Sequence, residues 1–159
     1  MDKHFTATVY IVSKINGQHK VLLHKHKKLN LWLGIGGHIE KGENQVDALK
    51  REVKEETNLD LSLLNVNKKP LKTNFITELP IPITILEENI PAYKNIKAHK
   101  HLDCIYIDYV KNPKKIKIKE EYGWFSKKDL DKLDLGTEVR YLGKRAPVCS
   151  RKYPTLTSF

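Results

Sequence analysis

The sequence is poor in cysteine and contains no long apolar run. Cys104 and Cys149 are the only two cysteines among 159 residues. They match neither a metal-ligand spacing nor a disulfide framework, which argues against a disulfide-stapled fold and a cysteine-based metal module. Cys104, inside the apolar stretch 103–110, reads as a small buried residue. No apolar stretch approaches the roughly eighteen residues of a membrane span. Met1-Asp2-Lys3-His4 leads into an alternating segment and not into the apolar region of a signal peptide. No membrane partner is expected, and the expected compartment is cytoplasmic. Acidic residues are also in deficit: 19 Asp and Glu against 29 Lys and Arg leave a net charge of +10. Such an excess concentrates polyanions near the surface. The lysines are scattered (Lys25, Lys27, Lys28, Lys68, Lys69, Lys114, Lys115, Lys117, Lys119). Charge therefore permits an anionic substrate without establishing one. No aromatic-and-basic motif of the nucleic-acid kind is present.

What is present fits one domain with a proper core. Residues 5–13 alternate and are rich in Thr, Val, Ile and Tyr, which predicts a strand. Asn16-Gly17 supplies a hairpin turn, and residues 20–24 the returning strand. Residues 29–35 form a short apolar segment ending in Gly34, Gly36 and Gly37. A helix is predicted from Asn44 to Thr57, with Val46, Leu49 and Val53 as its packing stripe. Asn44 suits its N-cap, and Asn58 suits the left-handed residue that ends it. Further strands are expected at 61–66, within 81–86, at 101–110 and at 117–125. Ser126 should cap a short helix through Leu133, and Thr137 another through Lys144. The tail from Ala146 to Phe159 lacks periodicity and is expected to be loosely ordered. Residues 67–100 are read as strand plus long loops of the sort that carry substrate contacts.

On the helix, Glu52, Glu55 and Glu56 fall at i, i+3 and i+4, so three carboxylates share one face beside the packing stripe. Like charges at that spacing repel, and a hard cation such as Mg²⁺ or Mn²⁺ turns the repulsion into binding. A Glu-rich helix face alone is more often just solvated. The preceding loop shifts the balance. Gly36 and Gly37 let backbone approach a ligand closely, and Arg51 can pair with Glu43 to hold loop against helix.

These residues resemble the Nudix family. Its box runs Gly, five residues, Glu, seven residues, Arg-Glu, apolar, any residue, Glu-Glu, any residue, Gly, apolar. Here the matching positions are Gly37, Glu43, Arg51-Glu52, Val53, Glu55-Glu56, Asn58 and Leu59, with Asn58 in place of the last glycine. Asparagine is the next best residue for a left-handed conformation, so the departure is mild. The resemblance implies an α/β fold, an α/β/α sandwich around a mixed β-sheet, as a single domain over 1–145. It also implies hydrolysis of a diphosphate linkage in a nucleoside diphosphate derivative, such as a nucleoside triphosphate or ADP-ribose. Glu52, Glu55 and Glu56 would hold Mg²⁺ (or Mn²⁺), with the Gly36 carbonyl as a further ligand and Glu52 also acting on the attacking water. Arg51 and Glu43 would orient them. Gly37, His38, Glu120 and Glu121 are candidate substrate or additional metal contacts. Family members commonly dimerise, though no interface is visible in the sequence.

Two other readings compete. A nucleotide- or RNA-binding module without catalysis would fit better had a box carboxylate been lost, and none is. An isoprenoid diphosphate isomerase of the same fold would need a Cys–Glu proton pair, and neither cysteine sits in such a motif. Alternation places His99, His101 and Asp103 on one strand face, which invites a metal-site reading. Since the carboxylates already suit Mg²⁺, a structural role is the preferred expectation for them, as for His24 and His26.

Overall fold

The structure is a computed structural model, and it describes residues 2–27, 29–63 and 69–152. Strand β1 (Lys3–Ile15) turns at Asn16-Gly17 into β2 (Gln18–His26). Both turn residues have positive φ, 50° and 79°, the pairing that matches the twist of a two-residue hairpin. Two short strands follow, β3 (Leu31–Leu33) and β4 (Ile35–His38), and then helix α1 (Gln45–Thr57). Beyond it lie β5 (Thr84–Ile90), β6 (His99–Tyr109), β7 (Tyr122–Phe125), α2 (Lys127–Lys132) and α3 (Thr137–Lys152).

All seven strands form one mixed sheet, ordered β3-β2-β1-β6-β5, with β4 added on β1 and β7 on β2. Among the described residues the only parallel pair is β1 with β6, in register from Lys3–Lys100 to Val12–Tyr109. Along its other edge β1 is shared: Thr6–Val9 pair with β4 and Val12–Ile15 with β2. Being paired on both sides, β1 reads as a nearly continuous buried run, Val9 to Val12.

Alternation then splits the core into two layers. Val9, Ile11, Leu22 and Tyr106 face Val46, Leu49 and Val53 of α1. Tyr10, Val12, Val21, Leu23, Ile105 and Ile107 face Leu130 of α2 and Val139, Leu142 and Ala146 of α3. The arrangement is the expected α/β/α sandwich. Leu49 is fully buried, and truncating it to alanine would cost about 2–5 kcal/mol.

Several expectations move. Helix α3 does not stop at Lys144 but continues to Lys152, seven residues into the segment expected to be loose. Ala146 is fully buried against the sheet, and the Ser150 hydroxyl donates to the Pro147 carbonyl in the last turn. The apolar contact outweighs the one backbone donor that Pro147 removes. Residues 117–121 do not pair as a strand, which leaves only Tyr122–Phe125 in β7. Of the strand expected at 61–66, residues 61–63 are not in a strand and 64–66 lie outside the described residues. Residues 153–159 also lie outside them.

Candidate active site

Helix α1 is fixed at both ends by asparagine. The Asn44 side chain accepts from the Val46 and Asp47 amides, satisfying donors that have no partner within the helix. Asn58 adopts φ 57° and its amide closes on the Lys54 carbonyl, the left-handed cap for which glycine is usually used. The Thr57 hydroxyl donates to the Val53 carbonyl and accepts from the Leu59 amide.

Strand β4 brings the glycines against both β1 and α1. A Cβ on Gly36 would run into the Ala7 carbonyl oxygen and lie 2.8 Å from the Thr8 Cα, so only glycine allows this approach to β1. At Gly37 the obstacle is different: a Cβ would lie 2.5 Å from Glu52 Oε1 and 2.8 Å from its Cδ. The two glycines therefore serve distinct ends, one backbone packing and the other room for a carboxylate.

Arg51 ties the segment together. Its Nε donates to Glu43 Oε1 at 2.7 Å and its Nη2 to Glu43 Oε2 at 3.0 Å, a two-pronged pair. Nη1 donates to Glu52 Oε1 at 2.6 Å, and Nη2 also reaches the His38 carbonyl at 3.1 Å. Glu43 accepts in addition from the Glu40 amide, so the loop between β4 and α1 hangs on one guanidinium. That hydrogen bonding, from Arg51 first and the Glu40 amide second, holds the Glu43 carboxyl below the usual carboxylate range.

The helix carboxylates are in unequal settings. Glu55 is well exposed, 3.9 Å from Arg51 Nη1. Glu56 turns inward, with Oε2 3.9 Å from Nε2 of the buried His24. Burial, then the charges of Glu52, Glu120 and Glu55, push the Glu56 carboxyl up to about 8. Burial, then His26, lowers the His24 imidazole, which works against a charged partner for Glu56. Glu56 Oε2 and His24 Nδ1 are both buried without a hydrogen-bond partner among the described residues.

Of the expected residues, the structure brings Glu43, Arg51, Glu52, His38 and Gly37 into one hydrogen-bonded or contacting group. Glu120 joins Glu56 electrostatically, whereas Glu121 turns out toward Lys25, 3.8 Å from its Nζ. Gly36 sits in the β4 ladder opposite Thr8. Glu120 and Glu121 also line an open cleft of about 490 Å³ with Lys25, Lys27, Lys119, His26 and Asn30. Sequence reasoning did not foresee His24 beside the carboxylates. Its signal was there in the alternation of β2, which puts His24 on the same face as Leu22, toward α1.

An orphaned, inward carboxylate oxygen amid four carboxylates fits a hard divalent cation, which takes oxygen ligands and offsets the crowding. Asp103 is separate: burial raises it to about 6, and its Oδ2 accepts from the Thr8 hydroxyl at 2.8 Å. Burial raises the Cys104 thiol, and Cys149 packs on the sheet face away from α1.

Comparison with known proteins agrees with this fold. A Nudix hydrolase from Clostridium perfringens has a similar structure, with a TM-score of 0.72 and 28% identity over 94% of this chain and 99% of that one. The dihydroneopterin triphosphate pyrophosphohydrolase of E. coli shares the fold, with a TM-score of 0.65 and 16% identity over 94% and 99% of the two chains. In sequence, an uncharacterized Nudix hydrolase of Nostoc sp. is 54% identical over 37 residues. That stretch spans only 23% of this chain and 22% of the relative. The NUDIX domain model matches residues 4–144, nearly the whole described fold, and the chain belongs to the Nudix family.

Proposed function

We propose that the protein is a metal-dependent pyrophosphohydrolase that cleaves a diphosphate linkage in a nucleotide derivative. The observation that carries this reading is the inward, unpartnered Glu56 carboxylate, crowded by Glu52, Glu55 and Glu120 to a pKa of about 8. Crowding of the inward Glu56 by the other carboxylates costs stability in the metal-free protein, and a divalent cation would offset that cost. Family membership and general divalent-metal use in that family support the same reading.

Glu52, Glu55 and Glu56 are the ligands we assign, with the Gly36 carbonyl as a further donor and Mg²⁺ or Mn²⁺ as the ion that suits oxygen ligands. Bound there, the ion would neutralise phosphate charge and make a water more acidic. The chain's own residues then account for orientation. Arg51 fixes Glu52 through a 2.6 Å hydrogen bond while Glu43 fixes Arg51, so that one carboxylate is held and aimed. Hydrolysis forms a bond from water oxygen to phosphorus and breaks the bridging P–O bond. Glu52 is the residue we assign to take the water's proton. Lys25, Lys27 and Lys119 line the cleft that Glu120 shares, a cationic bed for the rest of a polyphosphate. The E. coli neighbour, a dihydroneopterin triphosphate pyrophosphohydrolase, makes nucleotide-like triphosphates a natural first class.

A panel of nucleoside triphosphates, ADP-ribose, dinucleoside polyphosphates and sugar nucleotides, each with Mg²⁺ or Mn²⁺, tests the reading through phosphate or pyrophosphate release. At least one class should turn over and stop on chelation. If the whole panel stays inert with metal present, the protein is instead a binding module.

A further inference from the structure

A second set of ligands lies on the other face of the sheet. Along β1, even-numbered residues such as Tyr10 and Val12 face α3, and along β6 the odd-numbered Ile105 and Ile107 do so. Extending that alternation puts His4 of β1 and His99 and His101 of β6 on the same face, away from α1. His4 and His101 are register partners across the parallel pair, and His38 at the end of β4 stands opposite Thr6. Three strands thus deliver four imidazoles to one spot. One ligand nitrogen from each of His4, His38, His99 and His101 lies within 4.8 Å of all the others.

We propose that His4, His38, His99 and His101 form an all-imidazole site for a borderline divalent transition ion of the Zn²⁺ type. The donor set is the first reason. Neutral imidazole suits Zn²⁺ and its neighbours in the transition series, while Mg²⁺ prefers the carboxylates across the sheet. Geometry is the second. His99 Nε2 and His101 Nε2 are 3.0 Å apart. Without an ion this contact is a hydrogen bond, His101 Nε2–H donating to His99 Nε2. A tetrahedral ion with Zn–N bonds of 2.0–2.1 Å needs about 3.3 Å between its ligands, so an ion that displaces that proton finds this edge near its bound length. The remaining spread, up to 4.8 Å, would have to close by rotation of the rings.

Orientation is the third reason. His99 Nδ1 is 2.8 Å from the Lys97 carbonyl, which can only accept, so the proton sits on Nδ1 and leaves the Nε2 lone pair facing the cluster. The opposite side of His101 faces a carboxylate, with Nδ1 3.8 Å from Glu88 Oε2. A carbonyl or carboxylate behind the ring is the usual support of a histidine ligand, and two of the four rings have one nearby. His4 Nδ1 is buried without a hydrogen-bond partner among the described residues, and His99 as a whole is buried. Packing four imidazoles together with one unpaired nitrogen costs stability, and an ion at the centre removes that cost. The same ion would clip β1, β4 and β6 together. His38 links it to the carboxylate site, because its carbonyl accepts from Arg51.

This inference does not rest on the hydrolase reading, and its test reads metal content. The full chain is stripped with a chelator, incubated with one equivalent of Zn²⁺ in excess Mg²⁺, desalted and measured by elemental analysis. Co²⁺ in place of Zn²⁺ reports ligand geometry through its visible absorption. We expect about one Zn²⁺ per chain and an intense tetrahedral Co²⁺ band. Both should persist in Glu52→Gln and Glu56→Gln and be lost, with at least a hundredfold weaker affinity, in His99→Asn and His101→Asn. His38→Gln, at an exposed ring, repeats the test without touching buried structure, and circular dichroism confirms that each variant is folded. Absence of Zn²⁺ from the parent, its retention in the His38 and His101 variants, or its loss with the Glu variants would each overturn the proposal.

Discussion

Gly37→Ala isolates the link between backbone spacing and carboxylate placement. The added methyl would lie 2.5 Å from Glu52 Oε1, where an ordinary carbon–oxygen contact needs about 3.5 Å. Gly37 is not among the positive-φ glycines, so alanine fits its backbone and the strain falls on Glu52. The carboxylate must retreat by about 1 Å, which breaks the 2.6 Å hydrogen bond from Arg51 Nη1 to the same oxygen. A misplacement of roughly 1 Å in a catalytic group costs about a hundredfold in rate. The expected variant is therefore folded, within a few degrees of the parent in Tm, with kcat down about a hundredfold and weaker Mg²⁺ activation. Gly17→Ala is the matched control. It sits at φ 79° with nothing near its Cβ, so it should lower stability by about 1 kcal/mol and leave kcat unchanged. A Gly37→Ala enzyme with kcat within twofold of the parent would refute this reasoning.

Three further outcomes are expected. Because the Glu56 carboxyl is raised to about 8, its contribution to the metal-free fold is present below about pH 4.5 and lost as pH rises through 8. Thermal melts of the metal-free protein should fall across that window by the equivalent of a few kcal/mol, with the slope flattened in Glu56→Gln and the loss reversed by Mg²⁺. Neutralising the cleft with Lys25→Ala and Lys119→Ala together should raise KM for a triphosphate about tenfold and spare kcat, seen in steady-state kinetics at low salt. Leu49→Ala should cost about 2–5 kcal/mol in denaturant melts, because its side chain is fully buried between α1 and the sheet.

Much of the carboxylate site was legible because it is local. Gly37, Glu43, Arg51, Glu52, Glu55 and Glu56 lie on one short strand, the loop after it and one helix, where fixed spacing translates directly into geometry. The hairpin at Asn16-Gly17 and the Asn44 and Asn58 caps were legible for the same reason. What escaped depends on distant segments. The parallel pairing of β1 with β6 joins residues nearly a hundred positions apart, and no periodicity encodes a partner. His24 gains its meaning only from Glu56, and His38 and His4 from His99 and His101. Helix α3 ran on past Ala146 because burial against the sheet outweighs the local signal of Pro147. Glu120 and Glu121 looked equivalent in sequence, yet the chain turns one toward Glu56 and the other toward Lys25.

The central claim is that the helix carboxylates perform metal-dependent cleavage of a diphosphate linkage. Its most direct test is the kcat of Glu55→Gln and Glu56→Gln on the best substrate at saturating Mg²⁺, beside the parent and a chelated control. Each exchange keeps the side chain's shape and removes only its charge. The account predicts that both variants lose most of the parental activity and that the chelated parent loses all of it. Turnover at the parental rate by either variant, or turnover indifferent to the chelator, would contradict it.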